Sequence, residues 1–274
     1  MYEDTIEHFA DLGQKKASLL KQSPLAFFIG SLMAGAYVGL GIILIFSVAA
    51  TIDPAWQKLV MGASFGVALT LVVFAGAELF TGHTMYMIFG SLKRLTTAVD
   101  LTSVWCTSWI GNLCGSVGLA IIFVAGGGGV LLGDGSELLN KIAAYKMNSS
   151  ATALFARAIL CNWLVCLALW MAARTSSDSA KAIVIFWCLF AFIASGYEHS
   201  VANMTLLSIA LLGHPTEAIT VAGMAHNLIW VTLGNIVGGS LFMAAAYWGA
   251  SNTVTSTATT ASPPSKQSAN TAKH

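Results

Sequence analysis

Apolar runs separated by short polar joints dominate the chain. Six of them are long enough to cross a hydrocarbon core, which takes about 20 apolar residues in a helix. They run about Pro24 to Ile52, Leu59 to Ser91, Leu101 to Leu132, Ala151 to Ala173, Ala182 to Leu212 and Glu217 to Ala250. The pattern predicts an all-α integral membrane protein with six transmembrane helices in residues 24–250. Residues 1–23 mix Glu3, Asp4, Glu7 and Asp11 with Lys15, Lys16 and Lys21. They lack the apolar centre of a signal peptide, so a weakly amphipathic helix at the membrane surface is expected. The Ser/Thr/Ala/Pro-rich stretch 251–274 is expected to be a disordered tail.

Two of the runs are interrupted near the middle by a glutamate in a small polar cluster. One reads Ala75-Gly76-Ala77-Glu78-Leu79-Phe80-Thr81-Gly82-His83-Thr84, the other Ala194-Ser195-Gly196-Tyr197-Glu198-His199-Ser200-Val201-Ala202-Asn203. A carboxylate at such depth normally faces a protein interior or a watery path. Broken backbone there survives only when it is buried in protein or lines a cavity. The glutamates lie 120 residues apart, and a second pair of motifs, Gly111-Asn112-Leu113-Cys114-Gly115 and Gly234-Asn235-Ile236-Val237-Gly238, lies 123 apart. Three spans per copy invert the second copy, so inverted repeats with broken second and fifth helices are expected, with a transport site between them. The Gly-x-x-x-Gly spacing in both motifs suits close helix approach.

Composition narrows the class. The chain is 56% hydrophobic and only 9% charged, with a net charge of +1, against roughly 25% charged residues in soluble domains. It carries no basic patch for nucleic acid; its expected surroundings are the lipid bilayer. Nine Lys and Arg residues fall on the amino-terminal side of the spans and four (Lys58, Lys141, Lys146, Arg157) on the other, which predicts cytoplasmic termini. The five cysteines sit in apolar runs without a Cys-x-x-Cys pair; they are expected to be packing residues, and no metal or other cofactor is implied.

Helix stubs that begin at mid-membrane direct free N–H groups and positive dipole ends inward, which suits an anion. His199 stands at the start of one stub and Thr81 in the matching loop of the other. A histidine titrates near neutral pH, with a reference value of about 6.5, so it can bind an anion and hand it a proton. Phe65, Leu69, Phe80, Val165 and Phe192 supply candidates for dry constrictions, where a bare anion is strongly disfavoured and a neutral weak acid much less so. Glu78 and Glu198 are expected to accept hydrogen bonds from backbone N–H groups freed at the breaks. His83 either caps the second stub of its run or lines the path. An enzyme with bound haem needs paired axial histidines, and a water channel of the Asn-Pro-Ala type needs motifs absent from both breaks; neither is expected.

Glu198-His199-Ser200-Val201-Ala202-Asn203-Met204, with Ala77-Glu78-Leu79-Phe80-Thr81-Gly82 and the run Asn227 to Gly239, resembles the formate/nitrite transporter family. The likeness covers about residues 1–250, and His83 after Gly82 is more similar to its nitrite branch, although many members have proline where this chain has Trp230. The resemblance implies an aquaporin-like protomer, a homopentamer with one pore per protomer, and a bacterial inner-membrane channel for nitrite or another small weak-acid anion (formate, hydrosulfide). It implies His199 as the central pore histidine beside Thr81. Phe65, Leu69 and Phe192 would form the cytoplasmic constriction, with Phe80 and Val165 the periplasmic one. Glu198, Asn203, Lys146 and Asn162 would form the polar network around the histidine.

Overall fold

The computed structural model describes residues 2–260, and every regular element in them is helical. In chain order these are α1 (Glu3–Gln22), α2 (Pro24–Ala49), α3 (Pro54–Ala75), α4 (Phe80–Leu92), α5 (Ala98–Ala125), α6 (Gly129–Leu132), α7 (Ser136–Asn148), α8 (Ala151–Ala173), α9 (Asp178–Ala194), α10 (Ser200–Leu212), α11 (Val221–Val237), a π-helical stretch Gly238–Ala245, and α12 (Ala246–Thr260). Among the described residues, five helices are long and apolar enough to cross a membrane: α2, α3, α5, α8 and the continuous Val221–Thr253. The run from Ala182 to Leu212, in which an interruption is expected, consists of two helices, α9 and α10, of 17 and 13 residues.

Local chemistry sets the boundaries. Pro24 and Pro54 occupy first-turn positions, where the missing N–H does no harm, and the Asp53 carboxylate accepts from Ala55 N–H at 2.8 Å. Thr97 and Asp100 form a capping box that starts α5. That helix ends at Ala125, seven residues short of the expected Leu132, because Gly127, Gly128 and Gly129 take φ of 89°, 66° and 51°. Residues 251–260, expected to be disordered, continue α12 in the helical conformation, and Ser251 is anchored by donating to Glu3 Oε2 at 2.8 Å. The remainder of the expected tail, 261–274, lies outside the described residues.

Helix pairs α2–α5 and α8–α11 cross at backbone contact. A Cβ on Gly115 would come within 1.9 Å of the Leu32 carbonyl oxygen, and one on Gly35 within 2.0 Å of the Asn112 carbonyl oxygen. Gly234 and Gly238 of the second motif would reach the Phe155 and Ile159 carbonyl oxygens at 2.4 and 2.5 Å. Both Gly-Asn-x-x-Gly motifs therefore serve the close approach that their spacing suggests.

Helix α1 is docked on protein, with Ile6, Phe9 and Ala10 buried and the Phe9 ring stacked 5.1 Å from Tyr86. Lys21 pairs with Asp100 at 2.6 Å, Arg174 donates to Thr5 Oγ1 at 3.0 Å, and Lys93 binds Glu3. The hydrogen bond from Lys93, aided by one from Ser251, holds the Glu3 carboxyl below the usual carboxylate range. Helix α5 begins at this end and runs 28 residues, about 42 Å at 1.5 Å per residue, before the chain forms α6 and α7. Helices α1 and α7 thus mark opposite ends of the molecule.

The two buried asparagines of the close-packed motifs each make three bonds to backbone groups, given below. Asn235→Ala would leave those groups unpaired and is expected to destabilise the protein by about 3 kcal/mol or more. Thermal unfolding in detergent checks this against Asn252→Ala at an exposed position in the middle of α12, which should melt as wild type.

Candidate functional site

Each interrupted run stops at a left-handed glycine. Gly76 and Gly196 take φ of 71° and 73°, a region open to glycine at little steric cost. The residues after them fold back: Ala77 N–H donates to Val72 O, and Tyr197 N–H to Phe192 O, both at 3.0 Å.

Backbone freed by these breaks is claimed by the asparagines. Asn112 accepts from Phe80 N–H at 2.9 Å and donates to Ser31 O (2.7 Å) and Glu78 O (2.9 Å). Asn235 accepts from Ser200 N–H at 2.9 Å and donates to Ala158 O (2.9 Å) and Glu198 O (3.0 Å). The same three-way clamp thus recurs on both halves.

The glutamate side chains do something other than expected. They bind side-chain donors, because the asparagines already hold the first backbone N–H of each new helix. Glu198 Oε2 accepts from Lys146 Nζ (2.8 Å) and Asn203 Nδ2 (2.6 Å), and Asn203 in turn donates to Asn227 Oδ1 at 2.9 Å. Glu78 Oε1 accepts from Lys16 Nζ (2.6 Å), and its Oε2 lies 2.9 Å from His83 Nε2. His83 stands five residues after Glu78 as Asn203 stands five after Glu198. Both carboxylates are buried, so each is matched by a lysine reaching in from a helix at one end of the molecule.

His199 and Thr81 meet between the halves, with Nε2 to Oγ1 at 3.2 Å. His199 Nδ1 accepts from Ala202 N–H at 3.1 Å, so the ring is the N-cap of α10. A backbone N–H can only donate. Nδ1 therefore carries the lone pair, and the neutral ring holds its proton on Nε2, aimed at Thr81. Asn162, expected beside Glu198, braces the other side of this pair. The two hydrogens on its Nδ2 are shared among Asn235 O (2.6 Å), Thr84 Oγ1 (2.9 Å) and the more distant Thr81 O (3.3 Å).

A route leads past this pair. On the α1 side lies a cavity of about 420 Å³, lined in part by His8, Lys16, Lys181, His83 and Tyr86 and bounded inward by Leu69 and Leu79. On the α7 side a cavity of about 150 Å³ reaches from Lys58 and Lys146 to Phe192 and His199. Between them is a gap of about 10 Å³ lined by Val38, Phe65, Ala68, Leu69, Leu79, Val165, Leu189, Phe192 and His199. A water needs about 10–15 Å³ of such space and polar partners, so the gap, at the lower limit for one water and apolar except at His199, is a constriction.

This order revises the expected constrictions. Phe65 and Phe192, with rings 5.6 Å apart, do not share the α1 side with Leu69. Helix α3 enters from the α7 end, where Lys58 lines the cavity, so Phe65 lies one turn nearer that end than Leu69. Phe80 is buried but lines none of these spaces; its neighbour Leu79 does, and Val165 faces the gap itself. The sequence reading also missed Lys16, whose partner lies 62 residues away, and the bracing role of Thr84. Only the matched asparagine motifs carried a signal for Asn112 and Asn235.

Comparison with known proteins fits this geometry. A family model described as Formate/nitrite transporter matches residues 3–249, and the chain belongs to that family. The Nitrite transporter NirC of Salmonella typhimurium (strain LT2) is 51% identical over 248 residues, covering 90% of this chain and 91% of the relative. The Probable formate transporter of Methanothermobacter thermautotrophicus is 41% identical over 254 residues, covering 85% and 91%. A solved structure described as an FNT family ion channel superposes with a TM-score of 0.88 at 50% identity, covering 90% of this chain and 99% of that one. A pentameric formate channel with formate bound superposes at 0.72 with 28% identity, covering 85% and 99%.

Packing behind Thr81 is tight. A Cβ on Gly239 would come within 2.0 Å of Thr84 Oγ1 and 3.0 Å of Asn162 Nδ2, whereas Gly249 has nothing within 4 Å. Gly239→Ala is expected to destabilise by about 1–3 kcal/mol through overpacking, and Gly249→Ala, in open space within α12, to leave melting in detergent unchanged or slightly raised.

Proposed function

We propose that this protein is a multi-pass channel for nitrite in the bacterial inner membrane. The observation that carries the reading is the narrow, mostly apolar gap with one polar wall, where His199, bonded to Thr81, faces Leu69, Leu79, Phe65 and Phe192 between two cavities that are each lined by two lysines. Six crossings in two inverted halves give the frame, α3 with α4 and α9 with α10 forming the broken second and fifth. The matched Asn112 and Asn235 clamps support that symmetry. The basic residues Lys16, Lys21, Lys93, Arg174 and Lys181 near the α1 end support cytoplasmic termini, and the pentameric relative supports a homopentamer.

Nitrite enters a cavity drawn by lysine, meets the constriction and crosses the gap as a neutral acid, since a bare anion there is strongly disfavoured. His199 presents Nε2–H to it. While Nδ1 caps Ala202, the ring offers only a hydrogen bond. Full proton donation from an imidazolium needs Nδ1 to release that N–H, which links the transfer to the first turn of α10. Glu198, Asn203 and Lys146 position the loop that carries the ring. Relatives described as formate proteins make formate the main competitor for the path, and competition fluxes with formate and hydrosulfide rank the substrates.

His199→Phe in liposomes is expected to lower nitrite flux about tenfold or more and to remove its rise with acidity. The lost cap should cost about 1 kcal/mol of stability, too little to prevent assembly. Retention of the wild-type pH profile by this variant would refute a role for the ring in proton transfer.

A further inference from the structure

Two buried histidines border the route, and their ring nitrogens are placed differently. His199 has both engaged, on Thr81 and Ala202. His83 has Nε2 on Glu78, while its Nδ1 is buried and has no protein partner among the described residues. A buried polar atom left without a partner normally calls for an explanation. Glu78 accepts, so Nε2 carries hydrogen and Nδ1 of the neutral ring holds a free lone pair. His83 also lines the α1-side cavity. The matching place in the other half holds Asn203, an amide that takes up no proton.

We propose that His83 is a proton-exchange site at the α1-side mouth of the path, an inference that rests on the weak-acid reading above. Nδ1 has almost no exposed surface at rest, so movement of side chains at the wall of the α1-side cavity has to admit water to it; Nδ1 then binds a proton, giving an imidazolium whose Nε2–H remains on Glu78. An entering nitrite oxygen then takes that proton. The Nδ1–H bond breaks as the O–H bond forms, the ring returns to its neutral form, and nothing is oxidised or reduced. The neutral acid continues past Leu69 and Leu79 to His199. Unlike the imidazolium of His199, that of His83 forms without loss of any hydrogen bond in the protein.

The groups facing this ring act on its charge in opposite directions. Glu78, in the loop before α4, stabilises the charged form; Lys16 of α1, bound to the other oxygen of the same carboxylate, opposes it. His8 of α1, Lys181 of α9 and Tyr86 of α4 share the cavity, with Lys181 held by Asp178 at 2.9 Å. Phe27 of α2 stacks on the ring at 5.7 Å, and the Trp105 indole N–H of α5 donates to the His83 carbonyl at 3.0 Å. Neither carries charge.

Nitrite flux into liposomes across a pH series tests the assignment. His83→Asn and His83→Gln keep an amide donor for Glu78, so a purely structural role survives these changes. The expected result is a flux about tenfold below wild type at about pH 6 and a much flatter rise from about pH 8 to 6. Lys16→Met removes the opposing charge and is expected to move the rise toward alkaline pH. Profiles of His83→Asn and His83→Gln that superimpose on wild type would overturn the proposal. If neither assembles at the wild-type oligomer size, an unmoved Lys16→Met profile overturns it instead. A wild-type flux independent of pH would sink the weak-acid reading and this inference together. A pH-dependent wild type with a responsive His199→Phe and an unresponsive His83→Asn would sink this inference alone.

Discussion

Backbone that leaves a helix deep inside an apolar protein must find new hydrogen-bond partners, and this constraint organises the whole molecule. Each interruption exposes N–H and C=O groups that water does not reach, and such groups are nearly always paired in folded proteins. Asn112 and Asn235 supply the partners, each tying the new helix start, the glutamate carbonyl and a neighbouring helix together. The glycines on either side of each asparagine let α5 and α11 approach closely enough for those bonds to form. The carboxylates are thereby released for other work.

That work differs between the halves although the frame is shared. Glu198 sits in a network of lysine and amides; Glu78 sits between a lysine and an imidazole. Both lysines belong to helices outside the apolar runs, α7 and α1. Neither buried carboxylate is neutralised until its end helix has docked, so the end helices complete the electrostatics of the interior. Truncating a partner of a buried charge leaves that charge uncompensated, which is far less favourable than removing a surface pair.

The apolar runs made the helical framework legible, and a glutamate beside glycine marked both interruptions. Residue order along the route was not legible. Phe65 and Leu69 are one turn apart, and which of them lies deeper depends on where α3 begins and from which end it enters. Helix α7 has mixed composition and follows a glycine run, so no pattern separated it from a loop. Lys16 looked like one of several charges on a surface helix, because an ion pair across 62 residues leaves no local trace. The partners of the glutamates were misjudged for a related reason: the donors available at a break come from helices that folding, not sequence spacing, brings near.

The contacts at Gly35, Gly115, Gly234 and Gly238 leave backbone touching backbone across two helix pairs. Surfaces keyed together in that way cannot slide past one another without collision. Widening of the narrow passage therefore falls to side chains such as Leu69, Leu79 and Phe192 turning about their own bonds. Such turns take picoseconds to nanoseconds when unhindered, against microseconds to milliseconds for collective helix shifts. Passage through the gap is then metered by flickering side chains within a static scaffold.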